Sequence, residues 1–154
     1  MQTKYLLPLF ISSITSLPAN SDITVEQHLN FGRIAILDNS VVSTLSILSN
    51  GTIVADPNFI ILEPGQNGRY LLHNFTPSTQ LSISLSGGST ASDFAGSPPP
   101  TDFSIEPYLD FATYNTDALG ELTLNLPGVL RTSGDSNTYI DGTYYRYFQI
   151  YVNY

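Results

Sequence analysis

The chain has 154 residues, with five Lys and Arg against thirteen Asp and Glu, a formal net charge of −8, two His, and neither Cys nor Trp. One domain suits that length, and the missing cysteine excludes disulfide staples, zinc–thiolate and iron–sulfur centres and cysteine catalysis. Charged residues are only 12% of the chain, about half the usual share, so neutral Ser, Thr, Asn and Gln build the surface, and one Lys and four Arg are too few for nucleic-acid phosphates or an anionic membrane.

Residues 1–21 hold no acid and the only lysine, Lys4, placed just ahead of an apolar stretch over residues 5–14. That is the shape of a secretory signal peptide, with Ala19 and Ser21 as the small residues before a cut ahead of Asp22. The stretch is too short for a ~30 Å hydrocarbon core, so no stable membrane anchor is expected. The same residues read a second way. Tyr5, Leu7, Leu9 and Ile11 alternate as the apolar face of a strand, and a retained strand of this kind is a candidate strand donor.

Beyond residue 21 no window keeps a helical apolar stripe for three turns, and short alternating runs recur between turn residues, the pattern of an all-β domain. Ile23, Val25, Leu29 and Phe31 share one parity, and Gly32 permits a bend before the apolar residues 34–37. Asp38, Asn39 and Ser40 form a turn. Residues 41–48 are β-rich, Asn50-Gly51 carries a hairpin signal, and residues 53–55 return. Residues 59–62 make a short apolar run, 64–68 a loop, 69–75 a strand, and Leu81, Ile83 and Leu85 alternate against serines. Residues 87–102 are rich in Gly, Ser and Pro and include Pro98-Pro99-Pro100, which predicts an extended excursion outside any ladder. Leu122, Leu124 and Leu126 alternate, and the strongest strand, residues 144–154, closes the chain. There Phe148, Ile150, Val152 and Tyr154 line one face, and Tyr145, Tyr147 and Tyr151 the other. Eight to ten short strands predict an immunoglobulin-like antiparallel β-sandwich; a jelly roll is the alternative.

Chemistry-bearing residues are sparse. His28 and His73 sit in predicted strands, and no phosphate loop, nucleophile elbow, paired-histidine motif or dinucleotide fingerprint occurs. No cofactor is expected and no catalytic residue is assigned. Asp135, Asn137 and Asp141 are the densest loop oxygens and a candidate calcium site, although their spacing departs from the helix–loop–helix pattern and suits an Asx-capped turn equally. Asn50 and Asn74 match the glycosylation acceptor pattern. Tyrosine is used most unusually, with ten copies, five of them between residues 144 and 154. Tyr145, Tyr147 and Tyr151 are therefore candidate ligand-binding residues, because each ring offers an apolar face and a hydroxyl; sheet stabilisation is the plainer explanation.

Phe31-Gly32 closing the first strand, Ser49-Asn50-Gly51-Thr52 on a hairpin, and Gly142-Thr143-Tyr144 leading into Phe148-x-Ile150-x-Val152-x-Tyr154 together resemble the bacterial family catalogued as domain of unknown function 4402. Pro127-Gly128-Val129-Leu130 matches that family's pattern ahead of the last loop only in part. The resemblance implies a secreted or surface-exposed, immunoglobulin-like, pilin-like domain without assigned catalytic residues. A looser resemblance, through the alternating last strand, is to subunits of chaperone–usher pili, in which a donated strand completes a neighbouring sandwich. The expectation is a non-enzymatic secreted or cell-surface β-sandwich, adhesin-like or structural in a coat or fibre, whose partners are its own copies or other surface proteins. Two alternatives stand beside it: a carbohydrate-binding module or small secreted hydrolase with a glycan as ligand, and a polymerising pilin.

Overall fold

The computed structural model describes residues 22–92 and 103–154. The signal-peptide reading, the strand donors Tyr5, Leu7, Leu9 and Ile11, and the triple proline lie outside the described residues. Within them the chain is all-β, in twelve strands rather than the eight to ten expected: β1 (Asp22–Gln27), β2 (Arg33–Ile36), β3 (Thr44–Ile47), β4 (Ile53–Ala55), β5 (Phe59–Glu63), β6 (Gly68–His73), β7 (Gln80–Ser92), β8 (Ser104–Pro107), β9 (Thr113–Asn115), β10 (Leu122–Leu126), β11 (Gly128–Arg131) and β12 (Tyr144–Asn153). Every pairing is antiparallel. Among the described residues no helix is long and apolar enough to cross a membrane.

Among the described residues four sheets form, in the orders β1-β6-β10, β12-β7-β9, β4-β3-β11-β8 and β2-β5. Two cores follow from the alternation of apolar residues. In the first, Tyr70 and Leu72 of β6 and Leu124 and Leu126 of β10 meet Leu81 and Ile83 of β7 and Ile150 of β12. In the second, Leu45 and Ile47 of β3 and Leu130 of β11 meet Phe59 of β5, with Ile34 and Ile36 of β2 packed against them. Each fully buried aliphatic side chain contributes roughly 1.5–3 kcal/mol of transfer free energy. Phe103 joins the second core beneath an aromatic cluster: it stacks on Tyr139 with centroids 4.0 Å apart, and Tyr144 meets its edge at 4.9 Å.

Two devices carry the chain from one core to the other. The β1/β6 ladder passes through an isolated Asn30 to Gln66 bridge into the β2/β5 ladder. At that break Gly32 adopts φ +78°, a conformation L side chains rarely take, and any Cβ there would collide with the carbonyl oxygen of Glu63. The second device is Pro127. Its missing N–H cannot continue the ladder with β6, and across this single buried residue the chain leaves the β10 sheet for the β11 sheet. Gly128 follows because a side chain would collide with Leu29 and Phe31 lying over it.

One expectation is overturned. Residues 87–92 do not leave the sheet: β7 continues to Ser92 and pairs with Tyr144, Tyr145 and Arg146 of β12. Between Arg146 and Phe148 the register slips by one, with the extra residue on β7 opposite Tyr147. Glycines suit such a bulge, so a composition that looked unfit for a ladder supplies its irregular rung. β11 is a strand that sequence patterning passed over.

Candidate functional site

The sheet β12-β7-β9 turns Leu81, Ile83, Ile150, Phe148 and Val152 toward the first core. Strand alternation therefore sends the opposite parity outward: Tyr145, Tyr147, Gln149, Tyr151 and Asn153 on β12, Gln80, Ser82, Ser84 and Ser86 on β7, and Thr113 and Asn115 on β9. The register places Gln149 beside Ser86, Tyr151 beside Ser84 and Asn153 beside Ser82, and Ser82 beside Thr113. Because the extra residue of the bulge lies on β7, β12 keeps one parity along its length, and the three candidate tyrosines share one face as expected. Tyr147 is 50% exposed. The Tyr145 and Tyr147 rings meet edge to face at 5.6 Å, and the Tyr151 hydroxyl donates to Oε1 of Gln149. Tyr144, by contrast, belongs to the second core.

The acidic loop is organised about Asn39, read from sequence only as a turn residue. Asn39 is buried; its Nδ2 lies 2.9 Å from Ser133 Oγ, 2.9 Å from Asp135 Oδ1 and 2.8 Å from the Asn137 carbonyl, and its Oδ1 accepts from the Gly134 amide. The Asn39 carbonyl accepts from the Ser136 amide. Asp135 also takes the backbone and side-chain amides of Asn137, an Asx turn. Asp135 and Asn137 are thus brought together, and Asp141 is exposed outside this network. Among the described residues, no three His, Cys, Asp or Glu side chains group to hold a metal ion.

The two histidines stand apart. His73 pairs with Asp22 at the start of β1, and His28 follows its end, about 20 Å along the strand at ~3.4 Å per residue. His73 Nδ1 lies 2.9 Å from Asn74 Nδ2, and its Nε2 lies 3.0 Å from Thr24 Oγ1. Charge effects are local: Asp38 is lowered from the usual carboxylate range by the hydroxyl and amide of Ser40, and Glu106 by its hydrogen bond from Arg131.

A second surface feature is β5, where Ile60, Ile61 and Leu62 are 43%, 40% and 55% exposed. Among the described residues β5 pairs with β2 alone, leaving one edge without a strand. Such an edge is a template for another strand. No family model, curated protein or solved structure matches the chain.

Proposed function

We propose that this chain is a non-enzymatic, exported cell-surface protein with an immunoglobulin-like, pilin-like sandwich, adhesin-like or structural in a bacterial coat or fibre, as the resemblance to the domain of unknown function 4402 family implies. The observation that carries this reading is β5: three consecutive exposed aliphatic residues on a strand that, among the described residues, has one edge without a partner. Soluble proteins usually blunt such edges with charge, proline or cover. An edge left apolar suits addition of a strand, in which main-chain hydrogen bonds give affinity and alternate side chains give specificity. If residues 1–21 are retained rather than cut ahead of Asp22, Tyr5, Leu7, Leu9 and Ile11 of another copy have the alternation such a donor needs.

The test is fractionation of the native host followed by electrophoresis of unboiled protein. The expected result is surface or extracellular protein forming a heat-sensitive ladder that Ile60→Lys with Leu62→Lys abolishes. Recovery from the cytoplasm alone overturns the surface assignment, and a strictly monomeric surface protein overturns assembly through β5.

A further inference from the structure

We propose that the outward face of the β12-β7-β9 sheet binds an uncharged polysaccharide, laid along β12 with its sugar rings on Tyr147 and Tyr151. This inference is independent of assembly through β5, which belongs to a different sheet.

Three observations carry it. First, the outward side chains described for this sheet, Tyr145, Tyr147, Gln149, Tyr151, Asn153, Gln80, Ser82, Ser84, Ser86, Thr113 and Asn115, include no ionisable acid or base that is charged at neutral pH. The face offers hydroxyls and amides, which both donate and accept, the complement of a polymer of hydroxyls. Second, the aromatic rings follow one strand. Tyr147 and Tyr151 are four residues apart, about 14 Å at ~3.4 Å per residue, with Gln149 between them held by the Tyr151 hydroxyl. Ser84 pairs with Tyr151 and Ser86 with Gln149, so small hydroxyl side chains border this row. Third, among the described residues the exposed large aliphatic side chains lie elsewhere, on β5, on β4 and in the loops holding Leu37, Val41, Val42, Leu119 and Ile140. Apart from its tyrosine rings, the described part of this face offers no apolar side chain for the centre of a protein interface.

Charge decides between polysaccharides. A chain of net charge −8 repels anionic polymers at long range, and this face presents no cation to hold a uronate or sulfate. Neutral glycans escape the repulsion and need no cation from the described face.

The experiment is affinity electrophoresis of the full chain in gels containing dextran, pullulan, galactomannan or xyloglucan, with alginate as the acidic control. The expected result is retardation by at least one neutral polymer and none by alginate. In Tyr147→Ala with Tyr151→Ala the apparent affinity falls by about tenfold or more, while Tyr147→Phe, which keeps the ring, retains binding. Ser84→Asp alters one exposed side chain without touching the core, and it also abolishes retardation, so the test survives if the double variant folds poorly. Silence across the neutral panel, binding to alginate alone, or retardation unchanged in the double variant or in Ser84→Asp overturns the proposal. Capture of a protein partner by this face alongside that silence does the same.

Discussion

Replacing Asn39 by Ala tests whether one buried amide holds the loop at residues 133–137. Asn39 Nδ2 has two hydrogens among three oxygen atoms at 2.8–2.9 Å, and its Oδ1 takes the Gly134 amide at 3.0 Å. The substitution therefore removes about three hydrogen bonds, each worth roughly 0.5–1.5 kcal/mol net and the one to the Asp135 carboxylate roughly 1.5–3. Ser133, Asp135 and Asn137 are exposed enough to regain water, which leaves a net cost of about 2–4 kcal/mol. For a chain of this size that lowers Tm by roughly 6–12 °C in calorimetry. Asn39→Ala combined with Asp135→Ala costs less than the sum of the two, with a coupling of about 1 kcal/mol. A fall in Tm below about 2 °C, or strict additivity of the two substitutions, refutes the argument that Asn39 organises the loop. Millimolar calcium leaves the melting curve of the native chain unchanged, because Asp135 spends its oxygens on Asn39 and Asn137; a calcium-dependent rise in Tm restores the calcium reading.

Two further outcomes follow from single residues. Burial pushes the Tyr70 hydroxyl from 10.0 up to about 12. Because the folded chain then holds this proton more tightly, the contribution is fully present below pH 10 and is lost as pH rises through 12. About two pKa units amount to roughly 3 kcal/mol. Tyr70→Phe keeps the ring against Phe148 and flattens that loss; urea melts in which the unfolding free energy falls equally for both proteins between pH 9 and 11.5 contradict it. Gly32→Ala forces a Cβ into the left-handed region and against Glu63, at a cost above about 2 kcal/mol, and an unchanged Tm excludes strain at the crossing between the two cores.

Much of the fold was legible because alternation is a local property. Leu81-Ile83-Leu85, Leu122-Leu124-Leu126 and Phe148-Ile150-Val152 name their own buried faces, and Asn50-Gly51 names its hairpin, with Gly51 at φ +82°. The outward parity of Tyr145, Tyr147 and Tyr151 was legible for the same reason. The pairing partners were not, because a strand's pattern says which side is buried and not against what. Residues 87–92 show the difference: their Gly and Ser content favours a loop locally, yet the long β12 supplies a ladder for them and overrides it.

The sequence by itself determined the all-β class, the strand faces and the sparse charge, since each depends on residue type and on neighbours two positions away. Tertiary structure decided what required distant residues to meet. It brought Asn39 to a loop nearly a hundred positions later, made Pro127 the point where one strand changes sheets, and left Ile60, Ile61 and Leu62 of a short apolar run exposed. In each case the deciding quantity is solvent exclusion by another part of the chain, which only the closed fold sets.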